Sequence, residues 1–139
     1  MIHIPEDKIK EILTCYWVQV AYLFGSYVRQ DISPLSDVDI AILFGEDIKP
    51  EGRFSNRFLL LQEIMTLLET THLDLVVLNE SAPALCFNVI YKGRILFCQD
   101  DSLRIKFESR VLQNYMDTEP LRRTYNQALF KNLSEGLLR

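Results

Sequence analysis

Tyr22 to Phe44, YLFGSYVRQDISPLSDVDIAILF, decides how this 139-residue chain is read. It holds two apolar runs separated by a Gly-Ser turn, and a pair of aspartates opens the second run. The first run, Val18 to Phe24, is rich in β-branched and aromatic residues and stops at Gly25, the pattern of a buried strand. Ser26 can cap a short helix that carries Val28 and Arg29 and that Ser33-Pro34 would end. The second run starts at Ser36-Asp37-Val38-Asp39 and continues as Ile-Ala-Ile-Leu-Phe. Side chains alternate along a strand, so Asp37 and Asp39 share one face while Val38 takes the other. Carboxylates side by side repel each other and resist desolvation, which calls for a cation between them.

Magnesium is the natural candidate, a hard ion that binds carboxylate oxygens together with substrate phosphates. Gly25-Ser26 supplies the complementary half. Glycine lets the backbone approach a ligand closely, and N–H groups at a helix start favour phosphate oxygens. A Gly-Ser cradle, ten intervening residues and Asp-x-Asp on the next strand thus form a coherent site for a metal-bound nucleoside triphosphate. Taken singly, the glycine-serine pair is a turn with a cap, and Asp37 is another cap. Two aspartates on one face at the mouth of an apolar strand do not reduce to that. Arg29 has two readings, a bidentate partner for the triphosphate or a surface charge neutralising Asp31.

Outward from this stretch, Pro5-Glu6-Asp7 starts a first helix whose inner face is Ile9, Ile12 and Leu13. Gly45 to Gly52 is a polar loop. Phe54 to Thr70 reads as a helix with Phe54, Phe58, Leu61, Met65 and Leu68 at helical spacing, widened by Leu60, Ile64 and Leu67 into a core-facing stripe. His72 to Leu78 is a short strand whose lone acid is Asp74, either a solvated strand-end residue or a third acid beside Asp37 and Asp39. Ala82 to Lys92 is helical with Gly93 as its C-terminal cap, and Arg94 to Cys98 is a last strand. Two helices follow, one capped by Asp100-Asp101-Ser102 and reaching Tyr115, the next opened by Thr118-Glu119-Pro120 and running to about Leu133. Leu121, Tyr125, Leu129 and Leu133 form an apolar stripe for the protein's own core, with a partner-docking face as the other reading.

A hydrophobic fraction of 48% supports one globular domain with a real core. The net charge of −4 argues against an extended phosphate-binding surface, and no direct nucleic-acid binding is expected. No apolar run is long enough to span a membrane, and MIHIPEDKIK lacks the features of a secretion signal. Cys15, Cys86 and Cys98 lie in apolar contexts without CxxC spacing, which predicts buried thiols in a reducing cytoplasm and no zinc site.

GSYVRQDISPLSDVDIAIL resembles the signature of the nucleotidyltransferase superfamily with the DNA polymerase β-like fold, Gly-Ser followed after ten residues by Asp-x-Asp. More narrowly, the short chain and its order of elements are similar to the minimal nucleotidyltransferases (MNT) that act as antitoxins beside HEPN-domain toxins. The resemblance implies an α/β (α+β) fold, a mixed sheet flanked by helices with extra C-terminal helices. Residues 1–100 would be the nucleotidyltransferase core and 101–139 a helical extension packed on it, within a single domain. It implies that Asp37, Asp39 and Asp74 are catalytic and hold two magnesium ions, with Gly25, Ser26 and Arg29 on the triphosphate of ATP. The implied reaction is transfer of AMP to a hydroxyl, a tyrosine, of a cognate HEPN ribonuclease toxin, which neutralises it in the cytoplasm. An antitoxin that only binds and masks its toxin is the alternative. The intact set Gly25, Ser26, Asp37, Asp39 and Asp74 favours the enzyme, and the chain's acidity and size disfavour a solitary RNA-tailing or small-molecule enzyme.

Overall fold

The structure, a computed structural model, describes residues 3–29 and 36–137, with side chains as far as Leu133. The expected helix end at Ser33-Pro34, and Asp31 with it, lies outside the described residues. In chain order the elements are α1 (Glu6–Cys15), β1 (Val18–Phe24), α2 (Ser26–Arg29), β2 (Val38–Phe44), α3 (Pro50–Leu68), β3 (Leu73–Val77), a 3₁₀ turn (Leu78–Glu80), α4 (Pro83–Lys92), β4 (Arg94–Cys98) and α5 (Asp101–Leu137). The strands form one mixed sheet in the order β3-β2-β1-β4. β1 runs antiparallel to both β2 and β4, whereas β2 and β3 are parallel.

The period of two in the apolar runs divides the core between the sheet's faces. Ala21, Leu23, Ile40, Ile42 and Leu75 meet Ile9 and Leu13 of α1 and Leu60 and Ile64 of α3 on one face. On the other, Val20, Tyr22, Ala41 and Leu43 meet Cys86 and Val89 of α4 and Phe107 and Val111 of α5. β1 and β2 are covered on both sides, so their sequences read as nearly unbroken apolar runs. The buried Tyr22 hydroxyl finds a partner by donating to Glu108 at 2.8 Å, which ties α5 to the sheet.

Several features differ from the sequence reading. α3 starts at Pro50 instead of Phe54, with proline in its first turn, where a missing N–H costs nothing. Phe54 and Phe58 are exposed (75% and 56%), while Leu60, Ile64 and Leu68 carry the burial. The helix is rolled by its arginines: Arg57 Nε donates to Leu75 O at 2.9 Å, and Arg53 reaches Ile48 O and Glu80. The two expected C-terminal helices are one, with Pro120 inside it. Around the gap in its hydrogen-bond ladder, Thr118 Oγ1 donates to Asn114 O and Thr124 Oγ1 to Pro120 O, both at 3.0 Å. Phe107 and Val111 pack on the core, but Leu121, Tyr125, Leu129 and Leu133 on the continuation are exposed. Of the cysteines only Cys86 is buried; Cys15 is exposed. Gly93 caps the C-terminus of α4 as expected, in an extended conformation. A Cβ there would meet Val89 O at 2.3 Å and Leu23 O at 3.0 Å, so glycine is needed for close approach of α4 to β1.

Candidate active site

The sheet aligns the candidate residues across three strands. Asp74 on β3 lies in register with Asp39 on β2, and Asp39 in register with Phe24 on β1. Gly25 therefore follows directly beside Asp39, with φ at +74°, a conformation glycine adopts without strain. Its missing side chain matters as much as its φ. A Cβ would stand 2.1 Å from Asp39 Oδ2, so the carboxylate occupies the space that the absence of a side chain leaves. Gly25 O then accepts from the N–H groups of Val28 and Arg29, each at 3.1 Å, and starts α2. Arg29 Nη2 lies 3.4 Å from Ser26 Oγ, which gathers the expected phosphate-binding pair at this corner.

Asp39 is half-buried, Asp74 and Asp37 exposed. Desolvation by burial, then the like charges of Asp74 and Asp37, raise the Asp39 carboxyl above the ordinary aspartate value; Arg29 opposes them. The other two sequence-predicted acids thus both act electrostatically on Asp39. They do not close into a ready cage: among the described residues no three His, Cys, Asp or Glu side chains stand together as a metal-holding group. Asp37 sits just before β2 and faces His72, with Oδ1 3.3 Å from Nδ1.

Asp39 faces a cleft of about 210 Å³ whose walls include Gly25, Arg29, Asn88 and Lys92. Asn88 and Lys92 were not singled out in the sequence. They stand four residues apart on α4, one helical face, and the close contact of Gly93 with Leu23 brings that face to the end of β1. Two cations, a glycine and a half-buried carboxylate around one small cleft suit a polyanion carried with a divalent ion. Past Asp37, around His72, a second hollow of about 550 Å³ opens between the end of α3 and the start of β3. Among the described residues no helix is long and apolar enough to cross a membrane.

Comparison with known proteins agrees with this fold. The family model described as polymerase beta, nucleotidyltransferase matches residues 7–102. The chain is 33% identical over 107 residues to the protein adenylyltransferase MntA of Shewanella oneidensis, covering 74% of this chain and 73% of that protein. A solved toxin–antitoxin structure with AMP-PNP superposes with a TM-score of 0.76 at 26% identity, covering 91% of this chain and 99% of that one. A structure of the tri-AMPylated Shewanella oneidensis HEPN toxin with MNT antitoxin superposes with a TM-score of 0.70 at 25% identity, covering 90% and 95%.

Proposed function

The chain belongs to the polymerase beta nucleotidyltransferase family, and on that premise we propose that it is an antitoxin that transfers AMP from ATP to a tyrosine hydroxyl of a cognate HEPN toxin. The observation that carries this reading is the alignment of Asp74, Asp39 and Phe24-Gly25 across β3, β2 and β1, with the Asp39 carboxylate in the space that Gly25 leaves. The relatives supply the substrate class: one is named a protein adenylyltransferase, another was solved with AMP-PNP, and a third stands beside a tri-AMPylated toxin. Residues 1–100 would form the catalytic core and 101–139 its helical extension.

Burial, and then the like charges of Asp74 and Asp37, penalise the charged Asp39 carboxylate, a penalty that a divalent cation would relieve, so these oxygen donors fit magnesium. Asp37, Asp39 and Asp74 would hold it, and it would supply charge neutralisation on the triphosphate and a more acidic attacking hydroxyl. The backbone of Gly25 and the hydroxyl of Ser26 bind the β- and γ-phosphates. Arg29 and Lys92 balance their charge from the two walls of the cleft, and Asn88 offers an amide to the nucleoside. The acceptor oxygen forms a bond to the α-phosphorus as the bond to the β-phosphate oxygen breaks. Pyrophosphate departs, and Asp74 takes the hydroxyl proton. AMP added near the toxin's RNA-cleaving site would block it by bulk and like charge.

The test is mass spectrometry of the toxin after incubation with this protein, ATP and magnesium, beside the Asp37→Asn/Asp39→Asn variant. Gain of AMP units with the wild type alone supports the enzyme. No gain, with the double variant still protecting cells, overturns it in favour of masking.

A further inference from the structure

The parallel pairing of β2 with β3 places a further residue among the acids. Val38 is in register with Leu73, and Asp39 with Asp74. One residue earlier on each chain segment, Asp37 stands against His72. The side chains meet there, with His72 Nδ1 3.3 Å from Asp37 Oδ1. Alternation along the strands sets His72 on the face of Asp74, and Asp37 on the face of Asp39. His72 is thus the one member of this group that is not a carboxylate.

The main chain of His72 is tied on both sides. Its N–H donates to Thr70 Oγ1 at 3.0 Å, and its carbonyl accepts from the Val38 N–H at 2.8 Å. That fixes its Cα and leaves only side-chain torsions free. Asp37, by contrast, lies one residue ahead of β2, outside the ladder. An ionised carboxylate only accepts hydrogen bonds, so the proton between the pair belongs to Nδ1. A donor held on one oxygen restricts how the carboxylate turns and leaves its other lone pairs open.

As a stabilising contact the pair is weak, since both side chains are 54% exposed and exposed pairs contribute little. As an orienting contact it has a use. A ligand ordered before the ion arrives does not have to be ordered by it, and hydrogen-bond partners of metal-binding carboxylates tune affinity for that reason. We infer that His72 is a positioning residue, which orients Asp37 for the divalent cation. This rests on the reading of Asp37 as a metal ligand given above.

The experiment uses the full chain with manganese(II) alone as the probe, its free concentration read by electron paramagnetic resonance. The variants are His72→Ala and His72→Asn, because an asparagine amide nitrogen can take the place of Nδ1 and keep the donor. The expected result is manganese binding weakened about tenfold or more in His72→Ala and held within about threefold of wild type in His72→Asn. Without divalent cations, Tm in both variants stays within about 2 °C of wild type. On an Asp37→Asn background, His72→Ala costs nothing more, because its effect passes through Asp37. In AMP transfer the loss in His72→Ala appears as a raised magnesium requirement, with kcat restored at saturating magnesium. Unchanged manganese binding in His72→Ala overturns the proposal, and so does an equal loss in both variants. Tighter binding in His72→Ala also overturns it, since His72 would then withhold Asp37 from the ion. A wild-type protein that binds no manganese overturns the metal-ligand reading of the acids and the positioning role with it. The expected binding pattern without AMP transfer to the toxin overturns the adenylyltransferase reading alone.

Discussion

Replacing Gly25 by alanine should separate function from stability. The left-handed φ of +74° would cost an alanine about 1–2 kcal/mol, and for a chain of this size that lowers Tm by roughly 3–8 °C. The steric term acts differently. The new Cβ would fall 2.1 Å from Asp39 Oδ2, and real Cβ contacts essentially never fall below 3.0 Å, so the carboxylate must retreat by at least 0.9 Å (3.0 − 2.1). A side-chain tip can rotate away at little cost to folding, so Asp39 yields rather than the backbone. A shift near 1 Å in a reacting group costs on the order of a hundredfold in rate. Gly93→Ala is the matched control, because its Cβ would strike the backbone oxygen of Val89 at 2.3 Å, which cannot rotate aside. We expect Gly25→Ala to lower kcat for AMP transfer about a hundredfold with a modest Tm loss, and Gly93→Ala to lose more Tm than Gly25→Ala. Rates come from initial AMP incorporation into the toxin, and Tm from thermal scans in the same buffer. A Gly25→Ala protein whose kcat stays within about threefold of wild type would refute the placement of Asp39 at the reacting centre.

Asp39→Asn should abolish transfer yet raise Tm at neutral pH without divalent cations, because it removes a desolvated charge repelled by Asp74 and Asp37. The sign follows from linkage. A carboxyl raised in the folded state favours folding at low pH, and that contribution is lost as pH rises through the raised value. Thermal scans across the acidic range should therefore show a Tm advantage of the asparagine variant that grows with pH; a constant gap would refute the cause. Lys92→Ala should raise KM for ATP about tenfold and change kcat by less, the loss of one charge-assisted phosphate contact. Steady-state kinetics would overturn this role if KM for ATP held and kcat fell. Phe107→Ala empties a position only 5% exposed between α5 and the sheet, so it should cost about 3–5 kcal/mol, read by chemical denaturation. A loss under about 1 kcal/mol would mean that α5 is not anchored there.

Much of this was legible in the residues themselves. Val18–Phe24 and Arg94–Cys98 are strands with the bounds their apolar runs mark, and Asp74, the lone acid of its strand, is exposed and in register with Asp39. What escaped depends on contacts between distant segments. Asn88 and Lys92 look like an ordinary polar helix face, and only the contact of Gly93 with Leu23 brings them to Gly25. The apolar residues of α3 run nearly around the helix, so periodicity could not say which side turns inward; Arg53 and Arg57 decide it through Ile48 and Leu75. Pro120 read as a helix start because a proline in a first turn and one within a helix offer the same local sequence signal.

The continuous α5 gives the molecule an uneven distribution of stability. At about 1.5 Å per residue, its 37 residues span about 55 Å, and among the described side chains those up to Tyr115 lean on the sheet and α4. Beyond it, the helix is held by its own ladder, by the ion pair between Arg123 and Glu119, and by Arg122 over the Tyr115 ring, 3.6 Å from its centroid. Most of a helix's stability in a protein comes from tertiary packing, which this part lacks, so it should open on its own, without unfolding the sheet. Its amides would exchange with solvent orders of magnitude faster than those near Phe107, and thermal unfolding would report on the sheet while remaining nearly blind to the end of the chain.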